Sequence, residues 1–258
     1  MVAYTNVRQF DARDAFQTCE RATRDEGQGR GFMGDVVVLA ERRRMRNENG
    51  NGGATAAVAD GPARSAIFLF DLASPLTYLA AERVERLLGT VRWQPVAAEA
   101  LHRGNPWVDP AARAAAERRA AALHLPLVWP DRFPDPGRAA LRAAAYAADH
   151  GRGAAFTLAA CRLAYCGGFD LEDPEVLAEA AAAAGLGLEE CLAAAGDIAR
   201  DGPLEAAGRR LLAAGADGLP AVRVGRTLIC GEERLSEASA WLRRHGSGAR
   251  RVTGLQRS

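Results

Sequence analysis

Residues 66–79 read AIFLFDLASPLTYL. The apolar run from Ala66 to Phe70 has the length and composition of a buried strand. Asp71, Leu72 and Ala73 follow, and a helical pattern then starts at Ser74-Pro75 and runs to about Leu88, before Gly89. Pro75 suits the first helical turn, where its missing N–H costs nothing. Ser74 falls at the N-cap. A strand therefore hands over directly to a helix through a serine, with its hydroxyl at the positive end of the helix.

The rest of the chain extends this plan. Residues 91–96, VRWQPV, alternate as a second strand, and a helical crossover makes it parallel to the first. Residues 110–216 are rich in alanine and predict helices near 110–123, 137–149, 153–167, 174–184, 188–195 and 203–215. A Pro-rich loop, PLVWPDRFPDPG, separates the first two, and Asp173-Pro174 marks a helix start with preferred N-cap and N1 residues. Gly218-Leu219-Pro220 precedes two short strands, Ala221–Val224 and Thr227–Cys230, joined by Gly225-Arg226 as a hairpin. Gly231-Glu232-Glu233-Arg234 leads into a last helix ending near Arg244. The order β-α-β, helices, β-β-α predicts an α/β thioredoxin-like fold with a large helical domain inserted between the second and third strands. The expected boundaries are 65–109 and 217–246 for the thioredoxin-like domain and 110–216 for the insert. Residues 1–64, with RRR and NENGNGG, read as a disordered arm, and 247–258 as a flexible tail.

Composition narrows the function classes. The 258 residues are 48% hydrophobic, enough for a sizeable core, and Lys+Arg of 33 against Asp+Glu of 32 gives a net charge of +1. That balance offers no electrostatic case for nucleic acid or an anionic membrane. Every one of those basic residues is arginine, so the presence of any single arginine says little. The five cysteines, Cys19, Cys161, Cys166, Cys191 and Cys230, contain no C-x-x-C pair, and the four histidines have no metal spacing. Neither a zinc site nor a dithiol redox centre is expected. No basic-then-apolar leader opens the chain, and the run from Val36 to Ala40 is too short to span a bilayer. A cytoplasmic protein with reduced cysteines is expected.

Seven ordered pieces then carry a resemblance: FDLASPLTYLAA, VRWQPV, Gly104-Asn105-Pro106, ERRAAALHLPLVWPDRFP, FDLEDPEVLAEAAAAAGL, GLPAVRVG and GEERL. Over roughly residues 66–245 the chain resembles the glutathione-dependent 2-hydroxychromene-2-carboxylate isomerases. These group with kappa-class glutathione transferases in the DsbA-like branch of the thioredoxin superfamily. The resemblance implies glutathione as cofactor and a small aromatic-pathway carbonyl compound as substrate, and it leaves room for a homodimer.

It also implies roles. Redox members of the superfamily carry C-x-x-C where this chain has Ser74. A hydroxyl there, with the backbone N–H groups of the helix end, can serve a thiolate brought from outside. Leu219 and Pro220 stand where the superfamily has a residue before a cis-proline, whose backbone pairs with an extended peptide such as glutathione. Glu233 stands where the family uses aspartate for the γ-glutamyl amine, and Arg234 can hold a carboxylate through its fork. Asn105 stands where the family places an asparagine that reaches the substrate. Each has a plainer reading: Ser74 as a helix cap, Pro220 as a trans proline on an edge strand, Glu233 and Arg234 as solvated charges, and Asn105 as turn chemistry.

Three departures fall on the substrate side and at the glycine end of glutathione. Asp135-Pro136-Gly137 stands where a second asparagine is usual, no lysine follows GNP, and Cys230 replaces a common aromatic residue. Trp107 and Trp129 are assigned to core packing ahead of a substrate cleft, and the cysteines to structure. The alternatives to the isomerase are a kappa-like glutathione transferase that releases a thioether, and a non-catalytic binding protein on the same fold.

Overall fold

In the computed structural model, residues 66–101, 106–130 and 137–246 are described. The expected arm (1–64), the tail (247–258) and Asn105 lie outside these residues. Strand β1 (Ala66–Phe70) is the centre of a four-stranded sheet of order β2-β1-β3-β4. Strand β2 (Arg92–Pro95) pairs with it in parallel through Phe68↔Trp93. Strand β3 (Ala221–Val224) pairs antiparallel on the other side through Phe68↔Val222, and β4 (Thr227–Cys230) pairs antiparallel with β3.

Strand alternation assigns the two faces of this sheet. One carries Ala66, Phe68, Phe70, Trp93, Val222, Val224 and Ile229, all buried in the main core. Phe68 and Trp93 meet edge to face with centroids 4.8 Å apart, a favourable aromatic geometry. The other face carries Ile67, Leu69, Arg92, Gln94, Ala221, Arg223, Leu228 and Cys230.

Helix α1 (Pro75–Leu88) crosses from β1 to β2 over the aromatic face. It packs there against the helices α4 (Gly153–Tyr165) and α8 (Leu235–Gly246). Between β2 and β3 the chain forms α2 (Pro110–Ala122), α3 (Arg138–Asp149), α4, α5 (Pro174–Ala184), α6 (Leu188–Gly196) and α7 (Asp201–Ala213). Their small alanines let α3, α4, α5 and α6 pack in one cluster. Helix α7 sits on the opposite face of the sheet, where Leu211 meets Leu69, Val96, Leu219 and Ala221.

Local chemistry sets the helix starts. Ser74, Asp109 and Asp173 each cap a helix through the side-chain oxygen, and each is followed by proline at N1. The expected helix 153–167 stops at Tyr165; Gly168 then takes φ 75°, a left-handed conformation that suits glycine. Helix α7 begins two residues earlier than its pattern suggests. A 3-10 turn (Ile198–Arg200) runs into Asp201, and Pro203 is tolerated because it still lies in the first helical turn.

Candidate functional site

The C-terminal ends of the parallel strands and the start of β3 come together at one end of the sheet. Val96 N donates to Phe70 O at 2.8 Å, so the chain leaves β1 and β2 side by side. The register Leu69↔Ala221 places Pro220 beside Phe70 at this same end. The Leu219-Pro220 bond is cis, as the resemblance implies.

Asp71 anchors this end. Its carboxylate is buried, Oδ1 accepts from Ala73 N at 2.6 Å and Oδ2 accepts from Ala98 N at 3.0 Å. Burial pushes its pKa up from 3.8 to about 6, against the two backbone donors, which pull it down. The next carbonyl, that of Leu72, accepts from the buried Tyr165 hydroxyl at 2.9 Å, which fixes the loop onto α4. The loop before α1 is thus tied both to the segment after β2 and to a helix.

Ser74 ends that loop. Its backbone is extended, its Oγ accepts from Leu76 N at 3.3 Å, and its residue surface is 9% exposed. The plain capping role is therefore real. It occupies one acceptor position of the hydroxyl and leaves the O–H as a donor. The first N–H groups of α1 gather at the same mouth.

Leu219 is buried as a side chain, yet among the described residues no backbone group pairs with its N–H or C=O. The neighbouring carbonyl of Pro220 accepts from Gly231 N at 2.9 Å, which holds the segment against β4's exit. An unpaired backbone donor and acceptor beside a helix mouth can receive an extended peptide as an added strand.

The turn after β4 sends its two adjacent glutamates in opposite directions. Glu233 is exposed, and Arg234 directs its fork at Glu237 in the first turn of α8, at 2.8 and 3.0 Å. The buried acid is Glu232, 1% exposed, which accepts from Arg83 of α1 and from Arg119 of α2, the latter at 2.7 and 3.0 Å. Arg83 lies nine residues beyond Ser74, roughly 13 Å along the helix at 1.5 Å per residue. This ion cluster therefore clamps the turn onto the body of α1, away from its mouth. Nothing in GEER marks which of two adjacent glutamates turns inward. The choice follows from two arginines on separate helices that only the fold brings to one point.

Other singled-out residues fall elsewhere. Trp107 is buried and lies 6.2 Å from Trp129, centroid to centroid, and Arg113 stacks over Trp129 at 5.1 Å. Cys161 and Cys191 are buried free thiols and Cys230 is a half-buried one; burial raises the pKa of all three. Among the described residues no helix is long and apolar enough to cross a membrane.

Comparison with known proteins agrees with this architecture. No curated protein matches the chain. Among solved structures, a 2-hydroxychromene-2-carboxylate isomerase superposes with a TM-score of 0.59 at 18% identity, covering 69% of this chain and 94% of that one. A probable DsbA oxidoreductase from Streptomyces coelicolor superposes with a TM-score of 0.57 at 22% identity, covering 76% and 94%. At these identities the likeness is one of fold. The model of the DSBA-like thioredoxin domain matches residues 66–242. With the sheet order, the serine-capped α1 and that match over more than half its length, this chain belongs to the DSBA-like thioredoxin domain family.

Proposed function

We propose that this protein is a glutathione-dependent cis-trans isomerase of the 2-hydroxychromene-2-carboxylate isomerase type, acting on an unsaturated carbonyl compound of aromatic degradation. One observation carries the reading. The Ser74 hydroxyl stands at the mouth of α1, at the sheet end where Leu219 offers an unpaired backbone N–H and C=O. No cysteine occupies the turn, so a reactive sulfur there has to be brought in.

The residues fit glutathione. Leu219 would pair with the cysteinyl backbone of the tripeptide. Ser74 O–H and the first N–H groups of α1 would hold its sulfur as thiolate, lowering a thiol pKa from about 8.5 toward neutrality. Glu233, exposed at the turn, would hold the γ-glutamyl amine. Arg234 would hold a carboxylate only by leaving Glu237, its present partner. Asn105 would face the substrate. Bound glutathione would supply the nucleophile whose addition turns the substrate's double bond into a single bond, which re-forms after rotation when the thiol leaves. The protein supplies the pKa shift and the positioning. The helices between β2 and β3 would form the substrate side. Reduced glutathione makes the cytoplasm the fitting compartment.

Calorimetry with reduced glutathione, followed by product analysis on an unsaturated aromatic-derived carbonyl acid, tests the reading. Saturable binding, an isomer of unchanged mass and full recovery of glutathione are expected. A released thioether would convert the assignment to a glutathione transferase of kappa type. Absence of glutathione binding would overturn both and leave a non-catalytic binding protein.

A further inference from the structure

The sheet face opposite α1 holds a second candidate site. Helix α7 covers only part of it, and beside α7 lies a cleft of about 730 Å³. Leu69, Leu204 and Leu211 close its bottom from the buried core, and Leu228 of the sheet with Pro203 and Ala207 of α7 supply its open apolar surface. None of Ser74, Leu219, Pro220 or Glu233 lines it.

The charges around this floor are one-sided. Arg92, Arg200, Arg210, Arg223 and Arg226 line the cleft, against a single carboxylate, Asp149. Asp149 already accepts from Arg200 at 3.1 Å. The guanidinium groups of Arg210, Arg223 and Arg226 have no partner among the described residues, and Arg92 donates only to the neutral Gln94 amide at 3.2 Å. Arginine is abundant in this chain, so its presence alone means little; the arrangement carries the argument. Ile67 is the register partner of Arg92 on β2 and also of Arg223 on β3. Cross-strand partners share a face, so these two arginines rise on either side of β1, roughly 10 Å apart at two strand spacings. They bracket an apolar strip with two forks suited to planar oxyanions.

Four uncompensated guanidinium groups around one cleft repel each other, and the low-dielectric floor strengthens their field. A ligand that relieves this must be anionic, and one that also fills the floor must have an apolar body. We propose that this cleft binds a small organic dicarboxylate, with an apolar body over Leu228 and its two carboxylates at Arg92 and Arg223.

Naphthalene-2,6-dicarboxylate is a fluorescent probe of that chemistry and can be titrated into the full-length protein. Saturable binding is expected, weakened at least about tenfold by removing one carboxylate from the probe. Arg92→Gln and Arg223→Gln should each weaken it about tenfold or more, the loss of one charged fork. Arg118→Gln, an exposed arginine on α2, should leave it unchanged. Both sheet arginines are exposed, so the variants should melt as the parent does. Saturating glutathione should not displace the probe. No saturation by about 5 mM, equal binding by the parent and both sheet variants, or an equal loss in Arg118→Gln would overturn the site. Displacement by glutathione would also overturn it, by moving the probe to the Ser74 end.

Discussion

The carboxylate of Asp71 bridges to the backbone of Ala98, with Oδ2 accepting from Ala98 N at 3.0 Å. The other oxygen, Oδ1, accepts from Ala73 N at 2.6 Å, one residue before Ser74. One buried side chain thus holds together the two loops that leave the parallel strands, and it sets the position from which α1 starts.

Burial of this carboxylate predicts a pH dependence. The folded pKa of Asp71, about 6, lies above the ordinary 3.8 because the site is buried. The folded protein therefore favours the protonated form. Asp71 contributes its stability below about pH 4 and loses it as pH rises through 6, a change of about 3 kcal/mol. Asp201 has its pKa lowered by the Arg142 hydrogen bond, and its contribution runs the opposite way. The comparison of interest is therefore between the parent and Asp71→Asn. Urea melts from pH 4 to 7 should show the parent losing stability relative to the variant. Parallel curves would show that Asp71 does not titrate in this range.

Ser74→Ala separates the cap from the chemistry. Loss of the cap should cost about 1 kcal/mol of stability. Loss of the donor should raise the pKa of bound glutathione by about one to two, because the N–H groups of α1 remain. Ultraviolet absorbance of the thiolate, titrated against pH at saturating glutathione, reads this directly. Superimposed titrations of the two proteins would leave Ser74 as a helix cap alone.

Tyr165→Phe removes the donor that satisfies Leu72 O and leaves a buried carbonyl without its partner. A loss of about 1–3 kcal/mol is expected in chemical denaturation. Amide exchange of residues 72–74 and 76 should quicken in the same variant, since the hydroxyl pins that loop to α4. Unchanged exchange there would mean that the Asp71 bonds hold the loop unaided.

The adjacent glutamates of the GEER turn should behave in opposite ways. Glu232→Gln leaves Arg83 and Arg119 without their shared carboxylate and should cost roughly 3–5 kcal/mol, the cost of breaking a buried pair. Glu233→Gln should leave the melting temperature close to that of the parent and weaken glutathione binding. Calorimetric melts and titrations of both variants check the pair. A stable Glu232→Gln protein would show that the cluster contributes little to holding the turn.

Much of the fold was legible from local signals. The strand β1, the serine-capped α1 and the aspartate-capped α5 follow from hydrophobic period and N-cap chemistry, which act over neighbouring residues, and α2 follows from its run of alanines. So do the strands Ala221–Val224 and Thr227–Cys230, with glycine at their turn. Ser74 at the helix mouth and the cis bond at Pro220 were expected from the sequence and its resemblance, and the structure has both.

The order of residues along the chain determined that a hydroxyl, and no sulfur, ends the loop before α1. It also determined, to within a residue, where the strands and helices begin, α7 excepted. Only tertiary structure decided that Asp71 is buried between two loops, that Glu232 faces inward while Glu233 faces out, and that Arg92 and Arg223 flank Ile67. The reason is physical. Caps and periods are set by residues a few positions apart, whereas burial of a charge depends on partners from distant segments. Arg83 and Arg119 lie 149 and 113 residues from Glu232, and only the packed sheet and helices place them within reach of it.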